Sequence, residues 1–255
     1  SELLPSGGIK SYCEPFLGGG AMLFHLQPDV AYVNDINSEL INVYRVIKHS
    51  VDGLIDELSH FVNEPEIFYE VRSWDRDKAK YSSLTDIQRA ARIIFLNKTC
   101  FNGLYRVNNA GEFNSPFGYY RNPNIINAPV LRAVSHYLNT AEIHFTSADY
   151  AEVLANLKRG TFVYLDPPYD PVSDSASFTG YSRGGFSRNE QKRLRECCDD
   201  LSRRGIKFML SNSATDFIME QYAGYNITVV KARRAVNSAG DKRGEVEEVV
   251  VRNYE

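Results

Sequence analysis

Thr161-Phe162-Val163-Tyr164-Leu165 is an apolar, β-prone run that passes straight into Asp166-Pro167-Pro168-Tyr169. Neither proline can donate a ladder hydrogen bond and each fixes its own φ, so a strand over 161–165 must stop at Asp166. The break leaves a carboxylate, two rigid carbonyls and an aromatic ring at the C-terminal end of a strand. In open α/β sheets that edge is where ligands bind.

Outward from this segment, short β-branched or aromatic runs recur at 9–13, 30–33, 142–146, 206–210, 226–232 and 245–251. Apolar residues at helical spacing lie between most of them, such as Leu40, Val43, Tyr44 and Ile47. Strands alternating with helices predict an α/β fold, doubly wound around a mostly parallel sheet. The last two strands are joined through Asn237-Ser238-Ala239-Gly240-Asp241, too short for a crossover helix, so the sheet should end in an antiparallel C-terminal hairpin. Thr85-Asp86-Ile87-Gln88 and Ser187-Arg188-Asn189-Glu190 both match the reciprocal capping box that opens helices. The strand rhythm fails between about 50 and 140, where a helical stretch leads into an aromatic, Asn- and Gly-rich loop from Phe101 to Asn127. A loop of that length and composition reads as functional. The expected division is a ligand-binding domain over 1–50 and 140–255, and an inserted, mainly helical recognition domain over 51–139.

The 255 residues are 43% hydrophobic and 24% charged, an ordinary globular balance. No apolar run approaches the roughly 18 residues that span a bilayer and no secretion signal is evident, so a cytoplasmic protein with no membrane partner is expected. The four cysteines form no C-x-x-C pair, and the five histidines are scattered without ligand spacing; no metal is expected. The net charge of −3 hides an asymmetry: residues 1–70 carry 3 Lys/Arg against 11 Asp/Glu, and the remainder carries 26 against 21. Such a distribution permits a local basic face for phosphates, and is equally met by solvated helix surfaces.

A second motif, Glu14-Pro15-Phe16-Leu17-Gly18-Gly19-Gly20, joins a strand to an apolar helix. Glycines at such a turn allow close backbone approach to a ligand. The next strand ends at Asp35, where a carboxylate can accept the hydroxyl protons of a ribose. A tight turn with a helix-capping Asp satisfies the same residues. The spacing is not that of a dinucleotide site, and Glu14 beside the loop suits a cationic ligand such as an adenosyl sulfonium. At 166–169, the Asp166 carboxylate and the Pro167 carbonyl could each accept one N–H of an adenine-type amine. The nitrogen would then pyramidalise, and its lone pair, otherwise delocalised into the ring, would become nucleophilic, mainly by positioning and electrostatics. Tyr169 offers a stacking face for a base extruded from a duplex. A Pro-rich turn with a surface Asp is the plainer alternative.

Taken together, E-P-F-L-G-G-G from Glu14, V-N-D from Val33, F-N-G-L-Y-R from Phe101, E-F-N-S-P-F-G from Glu112, L-D-P-P-Y from Leu165 and S-F-T-G-Y from Ser177 resemble the Dam family of DNA adenine-N6 methyltransferases over nearly the whole chain. The resemblance implies the S-adenosylmethionine methyltransferase fold, S-adenosyl-L-methionine as cofactor, double-stranded DNA as partner, GATC as target and base flipping. It also allows association with a restriction-modification system. It implies that Phe16, Gly18 and Gly20 line the cofactor site, Asp35 holds the ribose, Asp149 receives the cofactor's adenine amine with Tyr150 beside that ring, and Asp166 faces both methionine moiety and target. The catalytic set is then Asp166, Pro167, Pro168 and Tyr169. In the insertion, Phe101 or Asn102 would fill the gap left by the flipped base, Arg106 would read a guanine edge, and Leu104 and Pro116 would touch a thymine methyl. A phosphate contact is the alternative for Arg106.

One departure stands out. Family members carry an N-terminal P-F-x-K-W-x-G-G-K segment, whereas this sequence opens Ser1-Glu2-Leu3-Leu4-Pro5 and passes directly to Ser6-Gly7-Gly8. The expectation is that residues are missing before Ser1 and between Pro5 and Ser6. Cytosine N4 in DNA or adenine N6 in RNA also fits D-P-P-Y alone, and an inert DNA-binding relative would keep the same fold.

Overall fold

A computed structural model describes residues 3–108, 110–172, 186–233 and 245–255. In chain order the elements are β1 (Ser11–Glu14), α1 (Ala21–Leu26), β2 (Val30–Asn34), α2 (Ser38–Ser59), α3 (Pro65–Ser73), α4 (Lys78–Ser83), α5 (Asp86–Thr99), α6 (Ala128–Thr140), β3 (Glu142–Thr146), α7 (Tyr150–Ala155), β4 (Thr161–Leu165), α8 (Arg188–Arg203), β5 (Lys207–Ser213), α9 (Asp216–Gln221), β6 (Asn226–Arg233) and β7 (Glu245–Arg252). Single 3₁₀ turns occupy Trp74–Arg76 and Phe101–Gly103. The chain groups into two compact units. One gathers described residues 3–36, 148–172, 186–233 and 245–255; the other is Asn37–Ser147, so α2 and β3 group with the helical segment.

In the first unit the strand order is β2-β1-β4-β5-β7-β6. β1 pairs parallel with β2 (Tyr12↔Ala31) and with β4 (Cys13↔Val163), and β4 pairs parallel with β5 (Val163↔Phe208). β7 runs antiparallel to β5 (Leu210↔Val251) and to β6 (Val229↔Val249), the expected reversal at the C-terminal end. Its expected turn, Asn237–Asp241, lies outside the described residues, as does S-F-T-G-Y at 177–181. Alternation along each strand assigns the faces. Val163 and Leu165, Phe208 and Leu210, and Val249 and Val251 meet Leu154, Leu194, Cys198, Leu201 and Ile218 from α7, α8 and α9, with Tyr222 just after α9, in one core. α8 supplies Gln191, Leu194, Cys198 and Leu201 from a single helical face. Each fully buried leucine there contributes about 1.5–3 kcal/mol.

The second unit is helical, with α2 running 22 residues and breaking from helical geometry at Ser50 (φ −147°, ψ 41°). Of the two expected capping boxes, the one at α5 forms completely: Gln88 N donates to Thr85 Oγ1 at 3.2 Å and Thr85 N to Gln88 Oε1 at 3.0 Å. The one at α8 forms by half. Glu190 N donates to Ser187 Oγ at 3.4 Å, while Glu190 Oε2 turns to the Tyr150 hydroxyl (3.1 Å) and to Arg193 (3.4 Å). A phenol and a guanidinium outcompete an N–H that water can satisfy.

Leu201→Ala should lower stability by about 2–5 kcal/mol by opening a core cavity, and Thr85→Ala by about 1 kcal/mol through the lost cap. Urea unfolding of the purified variants measures both, and equal losses would contradict this division between core and cap.

Candidate active site

β1, β2 and β4 are neighbours, so the segments leaving their C-terminal ends emerge along one edge: 15–20 after β1, Asp35 after β2, and Asp166–Tyr169 after β4. The glycine segment is tied down from β2. Leu17 N donates to Asn34 O (2.9 Å), and Gly18 N donates to Asp35 Oδ2 (3.0 Å). Gly18 (φ 48°) and Gly20 (φ 66°) take the left-handed conformation that a side chain would strain, and Gly20 is the N-cap of α1. Asn34, 1% exposed, is the hub. Its Nδ2 donates to Pro15 O (3.1 Å) and Ala148 O (3.0 Å), and its Oδ1 accepts from Ala148 N (2.9 Å). Asn34 belongs to the V-N-D motif, but its role is not legible in the sequence because its partners lie 19 and 114 residues away.

Glu14 is 2% exposed, and its Oε2 accepts from the Tyr12 hydroxyl (2.8 Å) and Leu23 N (3.1 Å). Burial pushes its carboxyl up to about 8, Tyr12's hydrogen bond resists, and the charge of Asp166 raises it further. Phe16 packs against Tyr150 (ring centroids 5.1 Å) and edge-on against Phe186 (5.8 Å). Tyr150 is 7% exposed, and the Arg193 guanidinium lies 5.0 Å from its ring centroid. Asp149 caps α7 by accepting from Ala151 N (2.8 Å) and takes two bonds from Arg193 (2.8 and 2.9 Å), which hold its pKa below the usual carboxylate range. Sequence reasoning missed Phe186 and Arg193, since neither belongs to a motif.

Asp166 presents solvent-accessible surface, yet protein atoms crowding its solvation shell push its pKa up to about 6. The Tyr169 hydroxyl, hydrogen-bonded to it, lowers the value, and Glu248 on β7 raises it. The carboxylate therefore predominates at neutral pH. Behind the prolines lies a buried polar lattice. Gln191, 0% exposed, donates from Nε2 to Pro168 O (2.9 Å) and accepts from Asn212 Nδ2 (3.1 Å); Asn212 Oδ1 in turn accepts from Asp170 N (3.0 Å). Asp170, 2% exposed, binds Arg188 through both oxygens (3.1 and 3.2 Å) and accepts from Thr215 Oγ1 (2.8 Å). Gln191 thus occupies the Pro168 carbonyl, and the Pro167 carbonyl accepts no hydrogen bond among the described residues.

The candidate recognition residues all lie in the second unit, on a ribbon of two arms. Cys100 bridges Phe117 and Val107 bridges Phe113, both antiparallel. Phe113, Ser115 and Phe117 are buried, whereas Phe101, Asn102, Leu104, Arg106 and Pro116 are exposed. Asn102 has a left-handed backbone (φ 56°, ψ 18°), which asparagine tolerates better than most residues. Arg106 Nε donates to Asn114 Oδ1 at 2.7 Å, so its guanidinium is held from the opposite arm.

A family model described as D12 class N6 adenine-specific DNA methyltransferase matches residues 1–236. A Type II methyltransferase of Lactococcus lactis subsp. cremoris is 41% identical over 245 residues, 95% of this chain and 86% of that protein. A Type II methyltransferase of Methanocaldococcus jannaschii is 42% identical over 266 residues, covering 98% and 91%. The DNA adenine methylase of Escherichia coli K12 is 33% identical over 253 residues, covering 97% and 87%.

Glu14 yields a pH prediction. Its folded pKa of about 8 exceeds the ordinary 4.5, so the folded state holds the proton more tightly. The stability this contributes is fully present below about pH 4.5 and is lost as pH rises through about 8. Urea midpoints of the native protein should fall from pH 5 to pH 9 relative to those of Glu14→Gln; parallel curves would contradict the buried, protonated carboxyl.

Proposed function

Because the chain belongs to the D12 class of N6 adenine-specific DNA methyltransferases, we propose that it moves a methyl group from S-adenosyl-L-methionine to adenine N6 within GATC in duplex DNA, with the target base flipped out of the stack. The observation that carries this reading is the pairing of an exposed Asp166 carboxylate with the Pro167 carbonyl, which accepts no hydrogen bond among the described residues, at the end of the strand beside the clamped glycine loop.

The donor set fits an adenosyl sulfonium. Asp35 offers a carboxylate to ribose hydroxyls, the Gly18–Gly20 backbone permits close approach, and the Asp166 carboxylate favours positive charge. The bound cofactor supplies an electrophilic methyl. The protein's own residues then act on the other reactant. Asp166 and Pro167 O each accept a hydrogen bond from one N–H of the adenine amine, localising its lone pair; once the N–CH3 bond has formed, the surplus N–H proton leaves to the Asp166 carboxylate and on to solvent. Gln191, by holding the adjacent Pro168 carbonyl, fixes the aim of both acceptors. Tyr169 gives the extruded base a face to stack on, worth about 1–3 kcal/mol, which offsets part of the flipping cost. Asp149 and Tyr150 remain the residues assigned to the cofactor's adenine. In the second unit, Phe101 or Asn102 enters the gap in the stack, Arg106 reads a guanine, and Leu104 and Pro116 contact a thymine methyl. No helix among the described residues is long and apolar enough to cross a membrane.

Tritiated methyl transfer from S-adenosyl-L-methionine to duplexes with and without GATC tests the whole reading, with label expected only in the former. Asp166→Ala should lower kcat at least about 100-fold while leaving DNA affinity in place. In the native enzyme kcat/KM should decline as pH falls through about 6, where the free carboxylate takes up its proton. Substantial turnover by a folded Asp166→Ala protein would displace the reaction from this strand end.

Arg106→Ala should cost about 1–3 kcal/mol on the cognate site and flatten discrimination at a single base pair. A uniform loss across singly substituted duplexes would make it a phosphate anchor instead.

A further inference from the structure

The recognition ribbon is gripped by a charged cluster that no sequence motif marks. Asp75 and Arg76 lie on the 3₁₀ turn after α3, and they engage both backbone groups of Phe113. Asp75 Oδ2 accepts from Phe113 N at 2.8 Å, and Arg76 Nη2 donates to Phe113 O at 2.8 Å. Two side chains thus do for one residue what a neighbouring strand would do, fixing its height and its register. Arg72, one turn earlier, adds a bond from Nη1 to Ser115 O at 3.2 Å.

The acid is itself held from below. Arg92 of α5 is 2% exposed and meets Asp75 Oδ2 at 2.7 Å. Its Nε donates to Val71 O and its Nη2 to Arg72 O, both at 2.9 Å, and its guanidinium lies over the Tyr81 ring at 5.3 Å. A buried ion pair of this kind is an uncertain source of stability, since an apolar pair of similar volume often serves the fold as well. What an apolar pair lacks is an acceptor for Phe113 N.

Phe113 is one residue from the specificity machinery. Asn114 N donates to Arg106 O at 2.9 Å, and Asn114 Oδ1 accepts from Arg106 Nε at 2.7 Å. Ser115 Oγ bonds Leu104 O, and Phe101 N donates to Pro116 O at 2.8 Å. A slip of the 113–116 arm would therefore move Arg106, Leu104 and Pro116 together.

We propose that Asp75 and Arg76, backed by buried Arg92, are positioning residues for target specificity, setting the register of the ribbon that aims Arg106 at its base pair. The proposal rests on the recognition role given to Arg106 above. It makes the charged cluster a determinant of which DNA is methylated, with no contact to the base required.

Two variants test it. Arg76→Ala removes the donor to Phe113 O from a side chain already 33% exposed. The double variant Asp75→Leu with Arg92→Met keeps the buried volume filled and removes the acceptor for Phe113 N. Both are compared with the native enzyme and with Arg106→Ala on GATC duplexes and a panel of singly substituted sites. Hydrogen exchange of the Phe113 and Asn114 amides is followed in parallel.

The expected result is a roughly tenfold fall in discrimination at the one base pair that Arg106→Ala also relaxes, the low end of what a bidentate base contact supplies. Cofactor affinity and the salt slope of DNA binding should be unchanged, and the two amides should exchange faster in the double variant. A loss equal on all duplexes, with a salt slope lower by about one unit, would make Arg76 a phosphate contact and overturn the proposal. Faster exchange with full discrimination would overturn the register argument while leaving the role of Arg106 standing. Intact discrimination in Arg106→Ala would overturn both.

Discussion

β4 lies between β1 and β5, and its ladder ends where two consecutive prolines lack N–H groups. Everything chemical in the first unit depends on that stop. Had the strand continued, Asp166 would alternate into a packed face, and its carboxylate would be either buried without a partner or turned away from the sheet edge. Because it ends, Asp166 stands free of the sheet while the chain just behind it is fixed by Gln191, Asn212 and Asp170. The arrangement is held firmly behind the prolines and leaves the Asp166 side chain exposed.

The electrostatics of this edge follow from burial more than from pairing. Glu14 and Asp166 both lose solvation and the charge of Asp166 raises Glu14 further, so in the free protein the deeper of the two retains its proton at neutral pH. A cationic ligand on the glycine loop would favour both carboxylates, which links occupancy of that loop to ionisation of the edge. Asp35 is bonded instead by the Gly18 amide that shapes the loop. Asp149 is satisfied by Arg193 and by the helix it caps. Asp35 and Asp149 are thereby tied into the framework of this edge.

The second unit solves another problem. It must hold a ribbon of irregular backbone with its apolar and cationic residues facing outward, and a ribbon of two isolated bridges cannot hold itself. Burying Phe113 and Phe117 supplies the adhesive, and the Asp75–Arg76–Arg92 cluster supplies the register. Hydrophobic contact is non-directional and would tolerate small slips, whereas a carboxylate and a guanidinium bonded to one peptide unit would not.

By itself, the sequence determined what local rules control. Strand periodicity placed all seven strands to within a few residues, a short connection forced the final antiparallel pair, and Thr85 with Gln88 closed a capping box as written. It also put Asp35 and Asp166 at strand ends, since strand and breaker are adjacent along the chain. What needed tertiary structure were side chains whose partners are remote: Asn34 with Ala148, Gln191 with Pro168, Asp149 with Arg193, and Asp75 with Phe113. At α8 the local rule held only by half for the same reason, because folding brought Tyr150 and Arg193 to one oxygen of the Glu190 carboxylate. Backbone conformation is set within a few bonds and is written in neighbouring residues. The aim of a polar side chain is set by whichever partner folding delivers, and that partner can lie anywhere in the chain.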